Sequence, residues 1–254
     1  MIKKIAMFFA MLVLLAAPVL AASPLEREIQ NDLKKFDGRV GVFAKNLNTG
    51  RTIKYNADDI FPTASTSKLV VALATYKYLY PQATPAKAGQ YDRQIKLMMT
   101  ISDNNSFQEL LDEMDGSHQE ALPKVVKNLR LSKTQIHSKE AFQKYQYHSV
   151  TTPYEMGKIF EKIYTGKFLN KSNGDQLKYG LANSVYNDEI PRYMQTPVFH
   201  KVGELDAILC DVGVIQDGHD PILISFFTSA ADHTYASNFI AGESAKLYNA
   251  LRRK

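Results

Sequence analysis

Leu25, Ile29, Leu33 and Phe36 fall at helical spacing, so the pattern predicts an amphipathic helix over 25–36, closed by Asp37-Gly38. Val40, Val42 and Ala44 then alternate with other residues, and Asn48-Thr49-Gly50 turns the chain back into Arg51 to Tyr55, which reads as a hairpin. From Leu69 to Tyr80 the residues are apolar almost all round, the pattern of a buried helix. Pro81 to Ala88 reads as a loop with two prolines. Tyr91 to Ile101 resumes a helix, the polar triplet Ser102-Asp103-Asn104 breaks it, and Phe107 to Met114 starts another. Ala121 to Leu131 is helical, and Ser132 to Val150 is polar and irregular. Thr151-Thr152-Pro153 then supplies a cap and a first-turn proline for a helix through Met156, Ile159, Phe160 and Ile163.

Gln176 to Tyr186 is expected to be helical, and the middle of the chain lacks strand-like alternation. Strand character returns at Pro197 to Lys201, followed by Val202-Gly203. Ala207 to Gln216 and Pro221 to Ser229 flank Asp217-Gly218, a strong turn signal. Asn238 to Leu251 closes the chain as an amphipathic helix. Strands at both ends with helices between them predict an α/β (α+β) fold. Its antiparallel sheet is built from N- and C-terminal segments, flanked by helices, with an inserted all-helical lobe. The expected boundaries are 23–64 and 195–254 for the sheet lobe and 69–192 for the helical lobe. A cleft between them is the natural site.

The first 22 residues change this picture. Lys3 and Lys4 precede an almost unbroken apolar run, with Pro18 near its end and Ala21 and Ala22 after it. This is the pattern of a signal peptide over 1–22, too short and wrongly flanked for a membrane span. The expected location is therefore exported, periplasmic or extracellular, with 23–254 as one mature domain. The 254 residues are 45% apolar and 22% charged, an ordinary globular balance. Cys210 is the only cysteine, so there is no internal disulfide and the core alone must hold the fold. Loss of Lys3 and Lys4 takes the formal charge from +5 to +3. No long Lys/Arg block or aromatic-basic interleaving marks a nucleic-acid partner. The six histidines lack ligand-like spacing, so neither metal nor cofactor is expected.

Candidate chemistry centres on Phe61-Pro62-Thr63-Ala64-Ser65-Thr66-Ser67-Lys68. A helix beginning near Ala64 sets Ser65 and Lys68 on one face, about one turn apart. Serine needs a neighbouring base to act as a nucleophile, and lysine serves only where burial or charge lowers its pKa. A lone Ser-x-x-Lys is expected about once by chance at this composition. Ser-Asp-Asn is expected only about 0.05 times, and here it follows in order as Ser102, Asp103 and Asn104. Ser102 and Asn104 also suit helix caps, Lys201 an edge strand, and Gly203 a bulge.

Taken together, these segments resemble the serine β-lactamase and penicillin-binding protein superfamily, and within it the class A β-lactamases. The resemblance rests on Phe61-Pro62-x-Ala64-Ser65-Thr66-x-Lys68, Ser102-Asp103-Asn104, Thr151-Thr152-Pro153 with Met156, and His200-Lys201-x-Gly203 followed by Asp211-Val212-Gly213-Val214. It covers Leu25 to Leu251. It implies that a β-lactam or D-alanyl peptide acylates Ser65 while Lys68 accepts the proton. Ser102 would relay a proton to the leaving nitrogen, and Asn104 would hydrogen-bond the substrate and Lys68. Lys201 would attract the substrate carboxylate. Gly203 would leave room along the strand edge, and Glu204 N–H would complete an oxyanion hole with Ser65 N–H. The expected partner is thus a small-molecule substrate, and the chain is expected to be a monomer.

Three departures bear on the reaction. Val202 stands where the family usually has a hydroxyl residue that binds the substrate carboxylate. The Glu-x-x-Leu-Asn pattern that supplies a deacylating carboxylate before Thr151 is missing, leaving Glu140 as the nearby candidate. Ser102 follows Ser65 by 37 positions, a shorter interval than the family pattern, which trims the helical lobe. The expected activity is that of a serine hydrolase with slow deacylation; a peptidase or esterase of the same fold and a silent envelope-binding module are the alternatives.

Overall fold

The structure, a computed structural model, describes residues 23–253. The leader expected over 1–22 lies outside the described residues. Ser23 opens α1 (Pro24–Lys35) with a capping box: its hydroxyl accepts from Glu26 N, and the Glu26 carboxylate accepts from Ser23 N. The chain then forms β1 (Arg39–Asn46) and β2 (Thr52–Tyr55) as the expected hairpin. A short β3 (Phe61–Pro62) leads to a 3₁₀ turn over Ala64–Thr66, and α2 (Ser67–Ala74) follows. All eight residues of α2 are buried. The helix widens into a π turn over Thr75–Leu79, consistent with the long apolar run.

The helical lobe continues with α3 (Pro85–Thr100), α4 (Asn104–Ser117), α5 (Ala121–Asn128) and α6 (Lys139–Tyr145). β4 (Val150–Thr151) pairs with β3, and α7 (Pro153–Tyr164) and α8 (Lys171–Ala182) complete the middle of the chain. β5 (Val198–Leu205), β6 (Ile208–Ile215), β7 (Ile222–Ser229) and α9 (His233–Leu251) close it. The sheet order is β2-β1-β7-β6-β5, and every pairing is antiparallel. N- and C-terminal strands therefore share one sheet.

Alternation along the strands separates two cores. Val40, Val42, Ile222, Ile224 and Phe226 pack with Ile29 and Leu33 of α1 and Ile240 and Leu247 of α9. Phe43, Val212, Val214, Leu223 and Phe227 face α2, α3 and α7 instead. The mixed fold and its antiparallel sheet match the expectation.

Several boundaries do not. The prolines read as a loop over 81–88 include Pro85 at the first turn of α3, where a missing N–H costs nothing, and Thr84 caps that helix through Lys87 N. α8 begins at Lys171 rather than Gln176, capped by Asn170, and ends at Ala182 rather than Tyr186. α9 begins at His233, capped by Asp232, five residues before the apolar spacing signals it. The stretch 132–150 is not wholly irregular, because α6 lies within it. β5 runs past Lys201 to Leu205 and joins β6 through Asp206-Ala207, with Asp206 at φ 49°.

One buried carboxylate fixes the 132–150 stretch to the body. Glu155 in α7 accepts from the amides of Ser132 (2.7 Å), Lys133 (3.1 Å) and Thr134 (2.7 Å), and from the hydroxyls of Ser132 and Thr134. Burial alone would raise its pKa, but these donors outweigh it and hold the carboxyl below its ordinary value. From there Gln135 bridges Val150, Ser138 N donates to His148 O, and Ser149 O accepts from Thr63 N (3.0 Å). Glu155→Ala leaves three amides without their acceptor, so chemical denaturation is expected to show a loss of about 3–5 kcal/mol. Because the folded pKa is depressed, the wild-type contribution is full above the unfolded carboxyl pKa. It fades as pH falls through the folded one.

Candidate active site

Ser65 does not sit inside the first turn of α2. It lies on the preceding 3₁₀ turn, after Ala64 at φ 44°. That turn is anchored at both ends. Thr63 N donates to Ser149 O, Thr66 N to Thr63 O, and the Ser67 hydroxyl to Ala64 O (2.9 Å). Lys68 then enters α2 with only 2% of its surface exposed. Its Nζ is 2.8 Å from Ser65 Oγ, 2.7 Å from Asn104 Oδ1 and 3.3 Å from Ser102 Oγ. A neutral amine can donate two hydrogens and accept one, so these three partners suit a lysine that takes the Ser65 proton. Burial pushes the Lys68 pKa down to about 8, with Asp103 acting weakly the other way.

The Ser-Asp-Asn corner splits its duties. Asp103 caps α4 by accepting from Ser106 N (2.6 Å), which frees Ser102 and Asn104 from the capping role. Ser102 adopts φ 55°, a left-handed conformation that a serine holds at a cost. Its hydroxyl lies between two amines, 3.3 Å from Lys68 and 3.0 Å from Lys201. Lys201 on β5 is 1% exposed, and burial, followed by the charge of Lys68, lowers its pKa to about 7. Gly203, two residues on, lies against Ser65: a Cβ there would stand 2.9 Å from Ser65 N and 2.9 Å from Cys210 Sγ. Ser65, Lys68 and Asn104 open onto a cavity of about 370 Å³, also lined by Phe107, by 146–149, and by Glu204 and Leu205.

This arrangement can be set beside known proteins. The sequence model of the "Beta-lactamase enzyme family" matches residues 24–85 and 82–251. The chain belongs to the beta-lactamase enzyme family. None of the curated proteins compared with it matches. Among solved structures, a beta-lactamase from Chitinophaga pinensis is 18% identical, with 90% of this chain and 99% of that one covered at a TM-score of 0.77. The TLA-1 extended-spectrum beta-lactamase is 19% identical, with 89% and 97% covered at 0.76. A PBP-A mutant in an acyl-enzyme complex with penicillin G is 20% identical, with 89% and 95% covered at 0.74. At these identities the likeness establishes the fold.

Within this beta-lactamase family chain, Glu140 stands apart from the other residues singled out by sequence. It lies on α6, accepts from the Ser138 hydroxyl (2.8 Å), and lines a different cavity with Met114, Leu122 and His137. The short helix turns this carboxylate to the outside of the stretch, whereas 146–149 forms the inner wall. Glu204 lines the Ser65 cavity, but its side chain pairs with His233 Nδ1 at 3.0 Å. Sequence reasoning missed Phe107, whose ring stands 5.3 Å from Lys68 Nζ, because it reads as the apolar start of a helix. It also missed the wall 146–149, for which no periodic signal exists. Gly203→Ala forces an added methyl group against Ser65 N and Cys210 Sγ. Overpacking at that contact is expected to lower folding stability by about 1–3 kcal/mol, read by chemical denaturation.

Proposed function

We propose that the mature chain is an exported serine hydrolase that opens β-lactam amides through an acyl-enzyme on Ser65 and releases the product slowly. The observation that carries this reading is the Lys68 amine, buried and 2.8 Å from Ser65 Oγ. Neutral Lys68 takes the hydroxyl proton as Ser65 Oγ bonds to the lactam carbonyl carbon. The N–H groups of Ser65 and Glu204 stabilise the oxyanion. Collapse of the tetrahedral intermediate breaks the C–N bond, and Ser102, between the two lysines, passes a proton to the leaving nitrogen. Asn104 orients Lys68 and the substrate amide. Lys201 attracts the substrate carboxylate, and Gly203 leaves the strand edge open to the substrate backbone.

Slow release follows from the side chains around the cavity. Hydrolysis of the ester needs a group that activates water; the inner wall offers Gln146, Tyr147, His148 and Ser149 rather than a carboxylate, and the carboxylate of Glu204 is engaged by His233. Glu140, in its separate cavity, is not proposed for that role. This same observation favours a second reading, a penicillin-binding D-alanyl peptidase or esterase, as does the likeness to PBP-A. The leader pattern of 1–22 supports export, and no helix among the described residues is long and apolar enough to cross a membrane. The proposed working unit is the monomer.

The deciding experiment is time-resolved intact mass spectrometry of the mature protein mixed with penicillin G. The expected result is an adduct that forms on Ser65, outlasts the mixing time, and then declines as penicillin is consumed. Ser65→Ala should give no adduct. An adduct that never declines supports the peptidase reading, and its complete absence overturns both. Separately, Val202→Thr supplies a hydroxyl for the substrate carboxylate. A hydrogen bond to a charged group contributes about 1.5–3 kcal/mol, so the second-order acylation constant should rise about tenfold or more.

A further inference from the structure

Behind β5, on the sheet face opposite Lys201, lies a buried group of titratable side chains that takes no part in the chemistry above. His200, 1% exposed, holds its Nδ1 3.0 Å and 3.1 Å from the two carboxylate oxygens of Asp211, itself fully buried on β6. Gly213 makes room for this, since a Cβ there would stand 2.6 Å from His200 Cβ. Asp211 Oδ2 also accepts from Ile190 N (3.1 Å), which brings the neighbouring Glu189 into the cluster. Glu189 is 6% exposed and accepts from the Ser237 hydroxyl at 2.9 Å. His200 Nε2 is buried without a hydrogen-bond partner. Three ionisable side chains sealed from water in one spot carry a high desolvation cost.

What the cluster faces suggests its use. In the β5–β6 register Asp211 is opposite Val202, and its neighbour Val212 is opposite Lys201, so the carboxylate stands one ladder position from the lysine. Around Lys201 the ionisable and charged groups are Lys68 on α2 and Cys210 and Asp211 on β6, while Asp103 before α4 acts on Lys68. Around Glu189 they are Asp188, Asp211 and His200, with Arg192 nearby and paired to Asp188. Burial presses Lys201 to lose its charge, as does Lys68 whenever it carries a proton, and Asp211 opposes them. We propose that the buried Glu189–Asp211–His200 cluster is a positioning element that extends to higher pH the range in which Lys201 remains an ammonium.

The mechanism is an exchange of which group loses a proton. Burial, then Asp211, raises the Glu189 pKa to about 7, so Glu189 titrates in the same range as Lys201. As pH rises, Glu189 gives up its proton, and the new negative charge behind β5 holds the proton on Lys201. The consequence for function rests on the reading that Lys201 attracts a substrate carboxylate. The cluster then sets the alkaline limit of acylation.

The test reads the Lys201 charge directly, by ¹³C NMR titration of the lysine Cε resonances in full-length mature protein, with Lys201→Gln assigning the signal. Asp211→Asn keeps an acceptor for Ile190 N but removes the charge, and it should lower the Lys201 midpoint by about one pH unit, a tenfold change in proton affinity. Glu189→Gln should lower it by a smaller amount. A purely structural cluster would reduce the unfolding temperature and leave the midpoint where it was, and that result in both variants overturns the proposal. Should Asp211→Asn fail to fold, Glu189→Gln decides alone. The alkaline limb of penicillin G acylation should move with the NMR midpoint. If no adduct forms at any pH, the Ser65 reading fails while the NMR midpoints still decide the cluster.

Discussion

Two lysine side chains, almost wholly removed from water, converge on one serine hydroxyl. An ammonium group is costly to bury, so burial pushes both lysines toward the neutral amine. The pair persists because Asn104 and Ser65 partner Lys68, the Val202 carbonyl accepts from Lys201, and Ser102 lies between them. That arrangement brings three distant parts of the chain together: the 3₁₀ turn and α2, the corner before α4, and the edge strand β5. The strained backbone of Ser102 and the missing side chain at Gly203 are local conditions of the same convergence.

The chain's pattern makes much of this legible before any coordinates. Alternation at Val40, Val42 and Ala44 marks the first strand, and the continuous apolar run after Lys68 marks a helix with no solvent face. The ordered pair of motifs at Ser65 and Ser102 singles out the residues that meet in space. Such features are short-range or compositional. Capping is harder to read when its residues also serve loops, which is why Thr84-Pro85, Asn170 and Asp232 hide the true starts of three helices. The missed part of the cavity is harder still. The wall 146–149 acquires its position through long-range contacts, those of Glu155, Gln135 and Thr63 among them, that no sequence period encodes.

The wall and Ser65 are mechanically one piece. Glu155 grips 132–134, the bridge at Gln135 carries that grip to Val150, and Ser149 passes it to Thr63. Ser65 is two residues away. The segment thus braces Ser65 from one wall of its cavity, and it does so without placing a carboxylate in that wall.

The pairing of β1 with β7 has a consequence for how the molecule comes into being. β1 is made early in synthesis, yet its long edge is satisfied only by 222–229. Until then the first hairpin exposes a row of unpaired amides and carbonyls, the kind of edge that recruits other chains. The helical lobe can gather its local contacts meanwhile, but β5 and Lys201 also arrive late. A nascent chain therefore carries Ser65 long before it carries the cluster around it, and the last strands to emerge both seal the sheet and bring Lys201 to Ser102.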